Sequence, residues 1–380
     1  MFRPVLIAFA AALAPAVLLA QPSPVTAPMF DFPGSVAGPA SATSAGVGLA
    51  DRWLADAPFD NPAVPAGGAA EGSAQLLRIS RQDLRAGNRD YDEQLVFIDG
   101  AGAWAGLPLR GMQVSLYAHQ PVLRLEDYAF LRGRLASSGP PAILQGTASE
   151  RELRSGLAVS APLGALRLGA AGEWTRRDDT YETEEQSGGP DEGLRHVDFS
   201  GGAPGFQFGA RFERGGGGPG SVTAGAALRW LPELDLEGDQ EFELATGDST
   251  GTVRATRESG WEGGVSVRTV VAPAVRVVVG AGARTAREWS GFDVVAGRSF
   301  SWGLGVDYHE AGTPWTARLG LGEEQADGVP EPRAGVVGLG LGWQFGESAL
   351  DVGLLRRSIE RAQQPTSFDY RLIVSYLARY

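Results

Sequence analysis

The chain of 380 residues contains no cysteine and no lysine, and only three histidines. Without thiols there is no disulfide framework and no thiolate metal centre, and nothing in the chain is strained by an oxidising compartment. His119, His196 and His309 show no metal-ligand spacing, so no metal is expected. No cofactor is expected either, because the glycine-rich GLGLGW run belongs to a strand and makes no phosphate cradle. Every one of the 33 basic residues is arginine, the net charge is −12, and no basic block occurs, which argues against nucleic acid as a partner. Beyond the N-terminal region no stretch approaches the roughly 20 apolar residues of a spanning helix. With a mean hydropathy of −0.10, a helical membrane protein is excluded. A membrane protein built of strands escapes that test, because only every second residue faces lipid. The 43% hydrophobic content argues against disorder, and the 54 glycines follow no three-residue period, which excludes collagen.

The first residues, MFRPVLIAFAAALAPAVLLAQ, place Arg3 ahead of an apolar run from Val5 to Leu19 and then Ala20. This reads as a secretory signal peptide over 1–20, cleaved near Ala20. The competing reading, a membrane anchor, needs a longer run and a stop-transfer flank. Gln21 stands where a lipoprotein would carry cysteine, so no lipid anchor is expected. Roughly 360 mature residues suffice for two ordinary domains or one large barrel.

The final stretch SFDYRLIVSYLARY, residues 367–380, decides between them. Tyr370, Leu372, Val374, Tyr376, Ala378 and Tyr380 alternate with Asp369, Arg371, Ser375 and Arg379. A strand gathers the first set on one face, whereas a helix would scatter it. Ten residues at about 3.3 Å each, tilted by about 40°, put Tyr370 and Tyr380 roughly 25 Å apart along a membrane normal, the height of the apolar band between two aromatic girdles. A strand of this kind is expected to close a barrel, since closure leaves no free edge. It also resembles the targeting signature of bacterial outer-membrane barrels, which implies outer-membrane lipid and, through the strand ending at Tyr380, the barrel assembly machinery as partners.

The pattern recurs through the chain. Val222, Ala224, Ala226, Leu228 and Trp230 form one apolar face, and Phe300, Trp302, Leu304, Val306 and Tyr308 another. Tight turns at 161–164, 230–234, 271–275, 309–314 and 345–348 alternate with longer polar links at 135–149, 176–192, 246–259, 288–297, 323–333 and 359–367. Short turns on one side and long loops on the other are the habit of outer-membrane barrels. Counting back from Tyr380 gives about 14 crossings to residue 122, with weaker strand patterns at 73–80, 92–99 and 111–119. The expected fold is all-β, an antiparallel transmembrane outer-membrane barrel of about 14 strands (12–16), with 21–72 as an N-terminal hatch and 73–380 as the barrel. A soluble sandwich or propeller would use shorter strands and keep its tryptophans central.

If apolar residues face lipid, their alternates line a lumen. In PELDLEGDQEFEL this sends Glu233, Asp235, Glu237, Asp239, Glu241 and Glu243 inward as an acidic stripe, partly neutralised by inward Arg229, Arg268, Arg276, Arg284 and Arg318. Such a row reads either as a salt-bridged ladder in a wet lumen or as a selectivity filter. Small inward residues, among them Gly303, Gly305, Gly320 and Gly338, leave room for water or a plug. The carboxylates of 178–192 read as a solvated loop in preference to a cation site.

The run Ser44-Ala45-Gly46-Val47-Gly48-Leu49-Ala50-Asp51, followed by Asn61-Pro62-Ala63, resembles the N-terminal signature of the FadL/TodX hydrophobic-compound transporters and the related PorV-type barrels. The PLG turn within 156–174 resembles that family's hairpin. The resemblance implies a 14-stranded barrel plugged by an N-terminal hatch, passive passage of small hydrophobic molecules, and a location in the bacterial outer membrane. The alternative is a non-transporting barrel that serves a secretion apparatus or a surface partner. This chain departs from the family in the Arg52–Asp56 insertion and in the acidic stripe. Within the hatch, Pro62 fixes a turn and Asn61 can satisfy backbone groups. Trp53, Phe59, Asn61, Pro62 and Ala63 are the candidates for hatch packing or ligand contact. One enzyme signal exists, GDSTG around Ser249, but a hydrolase elbow needs a strand entering and a helix leaving, and the following TVRATRESGW alternates. No catalysis is expected.

Overall fold

The computed structural model describes residues 50–54, 57–64, 68–82, 85–86, 89–90, 101–132, 142–186, 193–244, 247–290, 294–296, 298–327, 333–360 and 367–379. Alternation in sequence becomes alternation in space. Along Ser299–His309, Trp302, Leu304, Val306 and Tyr308 stand exposed while Gly303, Gly305 and Asp307 are buried. The same belt continues around the molecule: Leu116 is 65% exposed, Val265 53%, Leu319 50% and Val337 51%. Water does not tolerate contiguous apolar surface on this scale, and lipid requires it. No helix among the described residues is long and apolar enough to cross a membrane.

Fourteen strands close into one antiparallel barrel. They are β1 (Ala69–Gln82), β2 (Ala101–Leu109), β3 (Met112–Arg132), β4 (Ala142–Leu163), β5 (Leu166–Gln186), β6 (Gly193–Arg214) and β7 (Val222–Leu231), then β8 (Gly260–Ala272), β9 (Val275–Arg284), β10 (Ser299–His309), β11 (Trp315–Ala326), β12 (Arg333–Phe345), β13 (Ser348–Glu360) and β14 (Ser367–Arg379). The last strand seals the ring. β14 pairs with β13 on one side and with β1 on the other, from Ala69 opposite Arg379 to Gln82 opposite Ser367. Tyr380 lies outside the described residues. On β3 the register against β4 slips between His119 and Val122, where Pro121 has no N–H to give to a ladder.

The two ends of the cylinder differ as the turn pattern predicts, except that the tight turn at 230–234 lies at the long-connection end, where β7 leads into a further hairpin. At one end two-residue turns join β2 to β3, β4 to β5, β8 to β9 and β12 to β13. Gly164 and Gly346 supply the left-handed backbone there, with φ of +66° and +61°. Just above these turns Trp315 stacks on Trp343 at 4.8 Å, and Phe345 stacks on Tyr376 at 6.1 Å. A second aromatic group, Phe206, Trp230 and Trp261, stands toward the other end, with ring centroids 5.0 and 5.8 Å apart. Two such groups bracket the lipid belt as girdles.

The long-connection end corrects the expected loops. β3 to β6 run for 21 or 22 residues, about 70 Å of chain at the usual rise and far more than a bilayer needs. Most of 176–192 is therefore strand, and so are parts of 135–149, 246–259, 288–297 and 323–333. Beyond the membrane no lipid enforces an apolar face, so the strand continues without the alternation that announced it.

The acidic segment is the largest correction. Leu234–Leu244 and Gly247–Arg257 are not crossings: β7 pairs directly with β8, Trp230 opposite Trp261, and the two form a hairpin inserted above them. The hairpin docks on β6, with Glu237 opposite Ser200, Asp239 opposite Asp198 and Glu241 opposite His196. Directly opposed residues share a face, and through β5 this face continues that of outward Trp174, which is 51% exposed. Glu233, Asp235, Glu237, Asp239, Glu241 and Glu243 are all exposed on the outside of the sheet. Leu234 and Leu236, 0% and 1% exposed, turn inward instead. Above the lipid, water lies outside, so charge points out and apolar side chains point in. The count of 14 stands because β1 and β2 replace the two hairpin strands. The first barrel strand starts at Ala69, ahead of the expected boundary at 73, and the pattern at 92–99 falls outside the described residues.

Candidate functional site

Residues 50–54 and 57–64 lie inside the barrel, toward the short-turn end. A short 3-10 turn, Arg52–Leu54, starts the segment, and Ala50 and Leu54 pack on Val278 of β9. The wall is shaped to receive it. Gly169 on β5, Gly209 on β6, Gly225 on β7, Gly264 on β8 and Gly282 on β9 all face the segment, one on each of five neighbouring strands. A Cβ on Gly169 would overlap Pro62, one on Gly209 would overlap Asn61, one on Gly225 the Trp53 carbonyl, and one on Gly264 the Trp53 indole. A Cβ on Gly282 would stand 3.3 Å from that indole. Glycine there is a matter of space: the backbone of the wall itself is the surface against which the hatch packs.

Asn61 holds the hatch in shape. Its side-chain amide donates to the Trp53 carbonyl at 2.8 Å and to the Ala210 carbonyl of β6 at 3.2 Å, and its oxygen accepts from the Ala63 N–H at 3.0 Å. One buried side chain thereby ties the start of the segment to its end and both to the wall. The wall answers with further bonds to hatch backbone: Gln207 donates to the Asp60 carbonyl at 2.7 Å, Ser160 to the Val64 carbonyl at 2.8 Å, and Arg229 to the Phe59 carbonyl. Charges close the contact. Asp51, fully buried, pairs with Arg268 at 2.6 Å, and Arg52 pairs with Glu262, lies 3.7 Å from Asp60 and sits over the Trp53 ring.

Above the hatch the lumen holds three further layers. Phe59 stacks on His119 at 4.8 Å and meets Tyr117 edge-on at 6.3 Å, beside Trp104. Tyr117 donates to Glu173 at 3.0 Å, and Glu173 faces Arg229 at 3.1 Å. Next comes a belt of charge that runs along the wall from β4 and β5 to the hairpin. Glu152 of β4 accepts from Arg154 at 2.6 Å and from Arg257 of the hairpin at 2.9 Å, while Arg177 binds Asp179 at 2.7 Å and Glu150 at 3.2 Å. Toward the long-connection end the lining turns apolar, with Tyr181, Phe199, Leu234, Leu236 and Ala255 in one cluster. On the opposite wall Arg318 pairs with Asp351, and Arg357 with Glu324.

Of the expected site residues, Trp53, Phe59, Asn61, Pro62 and Ala63 come together in the lumen, each 3% exposed or less where a value is given. The acidic stripe does not join them. Inward Arg229, Arg268 and Arg318 find acidic partners, but these are Glu173, Asp51 and Asp351. Ser249 sits in mid-strand opposite Phe242, with no helix following, so the elbow geometry is absent there. Sequence reasoning missed the Glu150–Arg154 charge belt, because that stretch borders a segment read as loop. It also missed the glycine row, whose signal was one inward glycine per strand. Among the described residues no cluster of side chains fits a metal ion.

No known family profile and no curated relative matches the chain. Solved structures do. The chain is similar to a FadL homologue of Pseudomonas aeruginosa, with 12% identity, a TM-score of 0.65, and 95% of this chain and 100% of that one covered. It is similar to the toluene transporter TodX of Pseudomonas putida, with 13% identity, a TM-score of 0.63, and 90% and 98% covered. A third is the toluene transporter TbuX of Ralstonia pickettii, with 13% identity, a TM-score of 0.60, and 93% and 100% covered. The chain shares the fold of these proteins.

Proposed function

We propose that this protein is an outer-membrane barrel through which small hydrophobic molecules pass passively, with the hatch as the element that keeps the lumen closed to larger or polar solutes. The observation that carries this reading is the fit of residues 50–54 and 57–64 into the glycine-faced wall of a 14-strand barrel, in a fold shared with hydrocarbon channels. The long-connection end is the outside of the cell and the short-turn end the periplasm, as in barrels of this kind. The apolar cluster of Tyr181, Phe199, Leu234 and Leu236 is the first lining that a molecule from outside meets, and the Phe59, Trp104 and Tyr117 group above the hatch is the second. The charge belt between them excludes a wide, continuously apolar bore and limits the cargo to small molecules. The hatch spans 21–72 in the sequence reading; its start belongs to that proposal, and its end gives way to β1 at Ala69. Export by a cleaved signal peptide, residence in a Gram-negative envelope, and assembly through the terminal strand belong to the same proposal, and no catalytic role is assigned to Ser249.

The test is uptake into liposomes whose outer leaflet is lipopolysaccharide, comparing a monoaromatic hydrocarbon with a sugar of similar size. The proposal requires protein-dependent uptake of the hydrocarbon and none of the sugar. The second reading, a non-transporting barrel that serves a partner, draws on the same charge belt, which narrows the lumen beside β4, β5 and the hairpin. It is supported if neither the full chain nor a variant lacking 21–64 admits the hydrocarbon.

A further inference from the structure

One edge of the hairpin is docked and the other is open. Among the described residues, the strand Gly247–Arg257 is paired on its far side only at Thr256 and Arg257, opposite Ser290 and Trp289. The direction of its remaining backbone groups follows from the register. Leu244 and Gly247 oppose each other across a two-residue closure, and such a closing pair exchanges both backbone hydrogen bonds, after which bonded and non-bonded pairs alternate. Gly247, Ser249, Gly251 and Val253 therefore bond to the first strand of the hairpin. Asp248, Thr250, Thr252 and Arg254 turn their N–H and C=O groups to the open side. Thr256, next in that series, is the residue that meets Ser290.

Open edges invite another strand, and proteins usually blunt them with proline, lysine, a bulge or a covering loop. This one carries no proline or lysine, and its register against Leu234–Leu244 is unbroken. From Gly247 to Thr252 every residue is exposed. Behind the edge, on the outer face, stand Glu243, Glu241, Asp239 and Glu237, opposite Asp248, Thr250, Thr252 and Arg254 in turn. Arg254 reaches Glu237 at 2.9 Å. Thr250 and Thr252 are short, so a long cationic side chain on an added strand can pass over them to Glu241 and Asp239. Asp239 also faces Asp198 of β6 directly, a like-charge opposition that an incoming cation would relieve.

We propose that an extended, basic segment of another polypeptide adds to this edge as a further antiparallel strand, bonded backbone to backbone along Asp248–Arg254 with alternate arginines or lysines over Asp239 and Glu241. This places a strand-addition site on the cell-surface end of the barrel, separate from the lumen and the hatch. The test uses the full chain in detergent micelles and a fluorescein-labelled nine-residue peptide alternating arginine and valine, followed by anisotropy. Two controls are a glutamate–valine peptide and an arginine–valine peptide of the same length interrupted by prolines. Binding of the first peptide alone is expected. Thr252→Pro, which removes an edge-facing N–H and no hairpin bond, should weaken it about tenfold or more. Asp239→Asn with Glu241→Gln, which leaves the backbone intact, should weaken it similarly and flatten its salt dependence. Equal binding of the proline-interrupted peptide would reduce the effect to bulk charge and overturn the proposal. So would indifference to both variants, or a wild-type dimer that Thr252→Pro converts to monomer while the peptide never binds, since the edge would then serve a second copy.

Discussion

Asn61→Ala should loosen the hatch without touching the wall. The side chain is 2% exposed and makes three hydrogen bonds, to Trp53, Ala63 and Ala210. Truncation leaves the Ala63 N–H and the Trp53 carbonyl buried with no replacement partner, at about 1–3 kcal/mol each. Taking about 3 kcal/mol for the sum as a conservative value, the population of open hatch rises on the order of 100-fold, since each 1.4 kcal/mol is about tenfold. Amide hydrogen exchange on the detergent-solubilised protein reads this directly: the amides of 52–64 should exchange on the order of 100-fold faster while those of β10 to β13 keep their rates. Asn61→Asp sharpens the case. It retains the acceptor for Ala63 but sets a carboxylate oxygen against the Trp53 and Ala210 carbonyls, so it should loosen the segment at least as much. A change of less than about threefold in either variant would refute the claim that Asn61 ties the hatch together.

Gly264→Leu forces a side chain into the space of the Trp53 indole, and faster proteolysis of the hatch is expected with the barrel still heat-modifiable on gels. Leu116→Arg puts a charge on the lipid face at a residue that is 65% exposed; a loss of about 2–4 kcal/mol in folding into bilayers is expected near the midplane. Arg257→Gln withdraws one of the donors to buried Glu152, and with Arg154 still in place the cost should be about 1–3 kcal/mol in urea unfolding. In a variant lacking 50–64, neutralising Glu237, Asp239 and Glu241 together should leave single-channel ion selectivity unchanged, because they stand outside the lumen; altered selectivity would restore the inward stripe.

The legible part of this fold is the part that lipid writes. Trp302, Leu304, Val306 and Tyr308 alternate with glycine and serine because one side of β10 is solvated by hydrocarbon, and the strand, its face and its length follow. The same rule misread PELDLEGDQEFEL. Its alternation is as regular, but it lies above the membrane, where the apolar face belongs inside, so a correct period was joined to the wrong sign. Long β5 and β6 were hidden for the opposite reason: from Asp178 to Gln186 only Tyr181 interrupts a polar run, and nothing periodic marks the backbone pairing that holds them. In the site, the Asn61-Pro62-Ala63 motif was readable because it is local. The glycine row was not, since Gly169, Gly209, Gly225, Gly264 and Gly282 become neighbours only through the pairing of five strands. The charge belt depends on Arg257 meeting Glu152, 105 residues away, which no local pattern announces.

The central claim, that a hatch seated in a closed barrel keeps the lumen shut, is tested most directly by planar-bilayer conductance of the full chain beside a variant lacking 50–64. The full chain should show at most rare, small openings, and the variant a stable pore of porin-like conductance. Indistinguishable conductance in the two, with both proteins correctly inserted, would contradict it.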